Sequence, residues 1–508
     1  MRGDDVHYDE IIIGSGAGGA VVAARLSEDP DRQVLLLEAG PDYASVDQLP
    51  DDLRNTWISL VDHDWGYSAK VWDDRDLPYP RGRAIGGSTS VNGTVAMRGS
   101  PADFEAWAAL GNDEWTFDRV EPYYRRLEEV AGADPNRRGA SGPIWIQPAR
   151  PEVWQPIGRA YVEALRAMGY PVVNDQNDPV SAGVGPIPHN VRDGVRISSA
   201  IGYLFPARGR PNLTIRSHAL VDRVLIADGR AVGVTLVSSG GLEEITGERI
   251  TLAAGSIGTP AILLRSGIGP AEEVGALGIP TRLDASGVGR NLIDHCAAFV
   301  TGLAASGIEQ NPSEYFEFYL RAGDLYLALL PLYDPLTLGT FIGDPDSPPV
   351  IAIAPGVAVP RSRGSVRLAD ADPAAAPLIT LNFLEHPDDQ RTMLAGIRLA
   401  WEVMHSAELG PLVTKVLPPV SEIIDSDEAL IDWARDTCGS GWHPVGTARM
   451  GPDADPGAVV DQHGRLRGID RLRLADASVM PLTVSVPTNL TCMMIGERIA
   501  EWMRTESD

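Results

Sequence analysis

The stretch SGWHPVGTARMG, residues 440 to 451, places His443 between Trp442 and Pro444 in a segment rich in glycine. No second metal-ligating side chain lies at a useful spacing, so the stretch predicts no metal site. Histidine titrates near neutral pH and is the residue type most often used as a general base. Proton transfer is therefore the chemistry expected of His443, and the alternative is a core histidine whose ring is hydrogen-bonded to the backbone.

A glycine-rich turn near the amino terminus lies where a strand should pass into a helix. Residues 8 to 40 contain an apolar run, then Gly14, Gly16 and Gly19, then apolar residues at helical spacing and a second run ending at Glu38. This order predicts strand, turn, helix and strand, with backbone amides facing a pyrophosphate. Glu38 would accept hydrogen bonds from a ribose diol and repel a 2′-phosphate, which disfavours NADP. Glycines also serve ordinary tight turns, but this order favours dinucleotide binding.

Three further segments combine small residues with predicted strands or loops. They are RGRAIGGSTSVNGTVAMRG at 81 to 99, ITLAAGSIGTPAILLRSGIGP at 250 to 270 and RLRLADASVMP at 471 to 481. The later two predict a strand that ends in a small-residue turn. The first is either a loop that approaches a ligand closely or a flexible connection between domains.

Together with VGRNLIDH, RGSVRLADADPAAAPLITLNFL, GWHPVGTARMG and NLTCMMIGERIA, these segments resemble the glucose-methanol-choline (GMC) family of flavoenzymes over nearly the whole chain. The resemblance implies FAD as the cofactor. It places residues around the pyrophosphate and adenosine (Gly14, Ser15, Gly16, Ala17, Gly19 and Glu38), along the pyrophosphate and flavin (Gly87, Ser88, Asn92, Gly93, Thr94 and Val95), at the adenine (Val221) and at the ribityl chain and flavin (Asp476 and Ala477).

The same resemblance implies catalytic roles. An alcohol donates hydride only while its hydroxyl proton is leaving, so its oxidation needs a base near the carbinol and an electron acceptor beside it. His443 has the base position of the family's H-P-x-G-T motif. Asn489 has the second position, where it would hold the substrate oxygen or, alternatively, only cap a helix. Trp442 resembles the hydroxymethylfurfural oxidase and pyridoxine 4-oxidase members, and its alternative is an indole packed beside the flavin.

The expected activity is FAD-dependent oxidation of an alcohol to the aldehyde, with primary, aromatic and furanic alcohols favoured. Oxygen, a quinone or another electron carrier would reoxidise the flavin. The alternative is an enzyme that resembles the flavin-containing hydroxynitrile lyases, which keep FAD without net redox chemistry. Val91 stands where choline oxidases have the histidine that tethers their flavin, so a non-covalent FAD is expected. Residues 315 to 333, rich in Tyr and Phe, either line a substrate pocket or form ordinary core.

The fold class implied is α/β, with a doubly wound, Rossmann-like FAD-binding domain and an interleaved α+β substrate domain built on a mixed sheet. The FAD-binding domain is expected to be discontinuous. Its expected ranges are 1–100, 191–295 and 441–508, and those of the substrate domain are 101–190 and 296–440. SVRLAD and PLITLNFL predict strands of the second domain, and DDQRTMLAGIRLAWEVM predicts a helix.

Composition limits the partners and the location. The formal net charge of -26 disfavours nucleic acid and anionic membrane surfaces, and it favours neutral over anionic alcohols as substrates. The three cysteines lie far apart, which indicates reduced thiols and a cytoplasmic protein. The amino terminus has no signal-peptide pattern and no apolar stretch is long enough for a membrane helix, so neither export nor membrane insertion is expected.

Overall fold

The computed structural model describes residues 7–55, 62–72, 75–147, 154–179, 182–238, 241–308, 317–333 and 350–506, with only the backbone of 331–333. Over these residues the fold is a mixed α/β fold. The strands are β1 (Tyr8–Ile13), β2 (Val34–Leu37), β3 (Ser68–Trp72), β4 (Arg75–Pro78), β5 (Glu128–Glu129), β6 (Ile144–Trp145), β7 (Gly183–Pro186), β8 (Val191–Arg192), β9 (Val195–Arg196), β10 (Leu213–Arg216), β11 (Leu220–Ala227), β12 (Arg230–Ser238), β13 (Gly241–Leu252), β14 (Ile268–Gly269), β15 (Leu283–Asp284), β16 (Cys296–Ala297), β17 (Val300–Ala304), β18 (Phe318–Ala322), β19 (Leu325–Tyr333), β20 (Val350–Val357), β21 (Ser365–Arg367), β22 (Leu378–Thr380), β23 (Val413–Val416), β24 (Gly439–Ser440) and β25 (Leu472–Leu474). The α-helices are α1 (Ala17–Leu26), α2 (Asp51–Arg54), α3 (Pro101–Ala109), α4 (Phe117–Leu127), α5 (Pro156–Ala167), α6 (Phe205–Ala207), α7 (Gly255–Arg265), α8 (Ala271–Ala276), α9 (Pro387–Met404), α10 (Val420–Ile423), α11 (Asp427–Thr437) and α12 (Asn489–Thr505).

The first large sheet contains the amino-terminal strands. In the described part of the chain, seven strands form it in the order β10-β2-β1-β13-β12-β11, with β25 also paired to β13. β10, β2, β1, β13 and β25 run parallel, and β11 and β12 continue the sheet in antiparallel pairs. Ile11 and Ile12 point to opposite faces and are both fully buried, so both faces of this sheet are covered. The predicted strand, turn, helix and strand are confirmed as β1, α1 and β2.

The second large sheet shares a hydrophobic core cluster with the first sheet. Its eight strands within the described ranges follow the order β23-β17-β20-β19-β18-β7, with β16 paired to both β20 and β24. Side chains alternate across it, because Phe318 and Leu320 pack in the cluster that contains α5 and α9, whereas Tyr319 and Tyr326 pack in the core shared with the first sheet. One face of the aromatic stretch is therefore ordinary core. On the other face, the Tyr326 ring contacts the ring of His295. Residues 315 and 316 lie outside the described residues.

The predicted carboxyl-terminal elements are confirmed as β21, β22 and α9. The domain boundaries stay a prediction. One packing detail bears on them: α3 and α4 place Trp107 and Tyr124 in the core of the first sheet, where α4 contacts α12. Among the described residues, no helix combines the length and the apolar character that a membrane span would require.

Candidate active site

The turn between β1 and α1 holds glycine for two different reasons. Gly14 has φ +94°, and a Cβ there would lie 2.5 Å from the Ala253 carbonyl oxygen. A Cβ on Gly19 would lie 1.9 Å from the Gly14 carbonyl oxygen. Gly16, the N-cap of α1, has no described atom other than those of its chain neighbours within 4 Å of its Cβ position, and it makes no side-chain cap. Gly14 and Gly19 are thus required by packing, whereas Gly16 and Ala17 leave open space before the α1 N-terminus, as a pyrophosphate needs.

Glu38 follows β2 and is held by the same turn. Its Oε2 accepts hydrogen bonds from the Ser15 backbone N–H at 3.1 Å and from Ser15 Oγ at 2.5 Å, and its Oε1 accepts from the Gly40 N–H at 2.8 Å. Burial raises the pKa of the Glu38 carboxyl above its ordinary value. A carboxylate oxygen can accept more than one hydrogen bond, so Oε1 can also accept from a ribose hydroxyl. Ser15 Oγ also accepts from the Gly86 N–H at 3.0 Å, so this side chain positions Glu38.

The second glycine cluster packs directly on the first. Gly87 has φ +52°, and a Cβ on it would lie 2.9 Å from the Gly16 Cα. Gly87 begins a short 3-10 helix that contains Ser88, whose Oγ accepts from the Gly82 N–H at 3.2 Å. The cluster is therefore an ordered close approach of two turns, which favours the ligand loop over the flexible connection.

The next residues of this cluster line the same space. Asn92 Oδ1 accepts from the Thr94 N–H at 3.0 Å, and Thr94 has φ +60° with its Oγ1 at 3.1 Å from His189 Nδ1. In the part of the chain that the structure describes, no atom beyond its chain neighbours lies within 4 Å of a Cβ position on Gly93. Val95 is partly buried beside them. The strained backbone of Thr94 is held by its neighbours, and Gly93 opens toward the site.

Asp476 joins the end of β25 to the start of α7. Its Oδ2 accepts from the Gly255 N–H at 2.9 Å and from Thr259 Oγ1 at 2.5 Å, and its Oδ1 accepts from the Ser478 N–H at 2.8 Å. Burial raises the pKa of its carboxyl. The carbonyl oxygen of Ala477 accepts from the Gly446 N–H at 3.0 Å, which ties this turn to the His443 loop.

Val221 lies in β11, away from these turns in sequence. Its side chain is buried in the core of the first sheet, opposite Leu236 of β12, and the strand register is irregular between Val221 and Arg223. Its contact with an adenine stays a prediction.

His443 is paired with a second histidine that the sequence analysis did not single out. His443 Nδ1 lies 2.9 Å from His295 Nδ1, and His295 Nε2 lies 3.0 Å from the Ala358 carbonyl oxygen. A carbonyl only accepts, so His295 Nε2 must bear the hydrogen, and the Nδ1 of neutral His295 is then an acceptor. His443 Nδ1 must therefore donate, which leaves a lone pair on His443 Nε2. The signal for His295 was its place at the end of VGRNLIDH.

The charge state of this pair follows from its burial. Burial lowers the pKa of His295 to about 4, against its backbone hydrogen bonds with Ala358 and Val484. Burial also lowers the pKa of His443 well below its ordinary value, and the nearby His295 and Arg81 lower it further. Both rings are therefore neutral at neutral pH, and His443 is ready to accept a proton.

Asp294 holds the backbone of His443 in place. It accepts hydrogen bonds from the His443 N–H at 2.8 Å, from Tyr79 Oη at 2.7 Å and from Ser440 Oγ. Burial raises the pKa of the Asp294 carboxyl. A Cβ on Gly441 would lie 2.8 Å from His443 Nδ1, so this glycine permits the histidine pair to form.

Trp442 adopts a conformation unusual for a large side chain. Its φ is +59°, its side chain is 41% exposed, and its carbonyl oxygen accepts from Arg81 Nη1 at 2.9 Å. Ser440 Oγ accepts from the Trp442 N–H at 2.7 Å. Left-handed backbone in a tryptophan costs energy, and such strain occurs most often at functional sites. This exposure leaves the Trp442 ring free to contact a cofactor or substrate, and an indole packed beside the flavin stays a prediction.

Asn489 is the first residue of α12. The N-cap is Thr488 and it makes no side-chain capping bond, so capping does not explain Asn489. Asn489 Nδ2 is buried, and no hydrogen-bond partner for it exists among the described residues. An unsatisfied buried donor costs free energy, so this atom is suited to an oxygen of a bound molecule.

Three features fit a flavin dinucleotide. The N-terminus of α1 is uncapped and has open space at Gly16 for a pyrophosphate, Glu38 follows β2 where a ribose would lie, and Gly93 leaves open space beside them. The arrangement defines a class, a dinucleotide-dependent oxidoreductase, in which His443 is a candidate base. Residues 8–297 and residues 360–496 each match a family model described as GMC oxidoreductase. The chain belongs to the GMC oxidoreductase family.

Three similar proteins cover nearly the whole chain. An uncharacterised GMC-type oxidoreductase of Rhodococcus erythropolis is 34% identical, over 97% of this chain and 97% of that protein. An oxygen-dependent choline dehydrogenase of Rhizobium etli is 32% identical, over 97% of this chain and 95% of its own length. The crystal structure of pyridoxine 4-oxidase from Mesorbium loti superposes with a TM-score of 0.91 at 30% identity, covering 99% of this chain and 100% of that one.

The family membership confirms the expected cofactor and enzyme class. GMC oxidoreductases bind FAD, and FAD is the cofactor of this chain. The chain is an oxidoreductase that acts on the CH–OH group of alcohols, as its relatives are.

The mode of FAD attachment is a testable prediction. Val91 has no nucleophile, so FAD should be bound without a covalent bond. Acid precipitation of the purified protein should release all of the yellow colour into the supernatant, measured as absorbance near 450 nm. Colour that stays in the washed pellet would show a covalent flavin.

Proposed function

We propose that this chain oxidises a primary alcohol with an aromatic or furanic ring to the aldehyde, with His443 as the general base. The observation that supports this most is the hydrogen-bond chain from His443 through His295 to the Ala358 carbonyl, which leaves His443 Nε2 unprotonated. Trp442, Tyr319 and Tyr326 supply aromatic surface near it and favour a flat substrate.

Two atoms of the chain would hold the reacting hydroxyl. His443 Nε2 would accept the hydroxyl proton, and the orphaned Asn489 Nδ2 would donate a hydrogen bond to the hydroxyl oxygen. As His443 gains its proton it becomes a cation whose Nδ1–H stays bound to His295. Bound FAD supplies the electron acceptor for the carbinol carbon.

Other residues keep this geometry fixed. Asp294, with Tyr79 and Ser440, holds the His443 backbone, and Arg81 holds the carbonyl of Trp442 before it. A general base acts efficiently only when it is within hydrogen-bond reach of the proton that it accepts. These hydrogen bonds therefore support the rate of alcohol oxidation without contacting the substrate.

His295 is expected to increase turnover because it holds His443 in the tautomer whose Nδ1 carries the hydrogen and whose Nε2 can accept a proton. In His295→Leu the His443 Nδ1–H loses its acceptor, and either ring nitrogen can bear the hydrogen. The turnover number should fall about ten- to a hundredfold, with KM little changed. The measurement is steady-state kinetics, with His405→Leu, an exposed histidine at the end of α9, as the matched control. Equal turnover in wild type and His295→Leu would contradict the role.

The experiment that tests the proposed function is a panel of alcohols mixed anaerobically with the holoenzyme, followed by flavin absorbance. The proposal expects aromatic and furanic primary alcohols to bleach the flavin and yield the aldehyde. Repeating the reaction with oxygen and with a quinone identifies the acceptor. Cyanide release from a cyanohydrin without bleaching would favour the lyase alternative, which no relative named above supports.

A further inference from the structure

Arg321 lies on the face of β18 that points toward the histidine pair. Side chains alternate along a strand, so Arg321 shares its face with Tyr319, two residues earlier. The Tyr319 ring stacks on Tyr326 with centroids 5.1 Å apart, and the Tyr326 ring lies edge-on to His295 at 6.2 Å. A continuous line of ring contacts therefore leads from the His295–His443 pair to Arg321.

The charge of Arg321 is not balanced by an ion pair. Its guanidinium donates to the Gln176 carbonyl at 3.0 Å and to Ser485 Oγ at 3.4 Å, and in the described part of the chain it forms no salt bridge. The carboxylate that attracts it most is that of Asp103, whose two oxygens instead accept from the N–H and Oγ of Ser485, each at 3.0 Å. Asp103 Oδ2 also accepts from Ser100. Arginine stays protonated in proteins, so among the described residues this partly buried cation has no anion in direct contact and reaches Asp103 only through Ser485.

The sheet face beside Arg321 is lined by small and aromatic side chains. Three alanines, Ala328, Ala352 and Ala354, point to this face, whereas their strand neighbours on the opposite face are Leu and Ile. The alanines are buried in the same cluster as Tyr319 and Tyr326. Aromatic rings of this kind favour a flat aromatic ligand, on which they can stack.

We propose that Arg321 binds a carboxylate of the substrate, so that the substrate is a flat aromatic primary alcohol with an acidic group remote from the carbinol. The inference rests on the proposed function, because it places the carbinol at His443. It replaces the expectation from net charge that neutral alcohols are better substrates. Surface charges are screened by water and salt within about 10 Å, so a partly buried cation that contacts the ligand would have the larger effect on substrate preference.

The first test compares two substrates that differ only in charge, 4-(hydroxymethyl)benzoate and 4-(hydroxymethyl)benzamide. Wild type should have the higher kcat/KM for the benzoate. In Arg321→Gln, kcat/KM for the benzoate should fall about ten- to a hundredfold and that for the benzamide should change little. Arg321→Lys should restore part of the loss, and Arg166→Gln, an exposed arginine of α5, is the matched control. Equal losses for both substrates, or a wild-type preference for the benzamide, would overturn the proposal.

A second measurement does not depend on turnover. The probe 4-methylbenzoate has no hydroxyl, and its Kd for the holoenzyme is measured from the shift in flavin absorbance and by calorimetry. The Kd should rise in Arg321→Gln by about the same factor as the benzoate kcat/KM falls. If no alcohol reduces the flavin while 4-methylbenzoate binds in an Arg321-dependent way, the proposed function fails, and only the binding of a carboxylate by Arg321 stands. If wild type does not bind 4-methylbenzoate, or binds it as tightly as Arg321→Gln does, the inference is wrong.

Discussion

Gly16→Val is expected to abolish FAD binding while the chain still folds. Among the described residues, apart from its chain neighbours, no atom lies within 4 Å of a Cβ at this position, so a side chain there should not prevent folding. It would, however, fill the space before the α1 N-terminus where the pyrophosphate accepts hydrogen bonds from backbone amides. Losing such charge-assisted bonds should weaken FAD binding by roughly a hundredfold or more. The measurement is the FAD-to-protein ratio after gel filtration, with circular dichroism to report folding.

The control for this variant is Gly209→Val. Gly209 also has open space around its Cβ position, but it lies after α6 and outside the β1–α1 turn. This variant should keep both its fold and its FAD. A Gly16→Val protein that retains a full complement of FAD would show that the pyrophosphate binds elsewhere.

His443→Ala is expected to lower kcat/KM for the best alcohol by about a hundredfold to ten-thousandfold, the usual range for a general base. FAD content and thermal stability should stay near the wild-type values, because His443 contacts the protein mainly through its bond to His295. Steady-state kinetics and FAD content together check this.

Asn489→Ala is the graded comparison for His443→Ala. It removes a hydrogen bond to the substrate oxygen and leaves the base in place, so its loss should be smaller, of order ten- to a hundredfold. If Asn489→Ala lost more activity than His443→Ala, the assignment of the two roles would be wrong.

The glycine turn and its acid could be predicted from the sequence because their structure is local. β1, Gly14, Gly16, α1 and Glu38 lie within one strand–helix–strand unit, and each residue type has a direct physical reason there. For the same reason the strands and the helix of the carboxyl-terminal half followed from hydrophobic periodicity.

The histidine pair could not be predicted in this way. His295 and His443 are 148 residues apart, and they meet because β16 pairs with β24 in the register that places Cys296 opposite Ser440. Strand pairing over such a separation depends on the whole sheet. A histidine at the end of a motif, as in VGRNLIDH, was the only local signal.

Arg321 shows a second limit of prediction from the sequence. The sequence placed it in an aromatic stretch, and alternation along a strand predicts which residues share its face. Whether a buried cation has a partner depends on side chains from distant segments, here Gln176, Ser485 and Asp103. Net charge over the whole chain gave no information about this site.

The most direct test of the catalytic role of His443 is anaerobic stopped-flow measurement of flavin reduction in wild type and His443→Ala from pH 5 to pH 9. The pKa of His443 lies below its ordinary value of about 6.5, so the wild-type rate constant should rise with pH on the acid side of 6.5 and be constant near neutral pH. His443→Ala should be slower by about a hundredfold or more at neutral pH and should lack that rise. A His443→Ala protein that reduces its flavin at the wild-type rate would show that the histidine is structural.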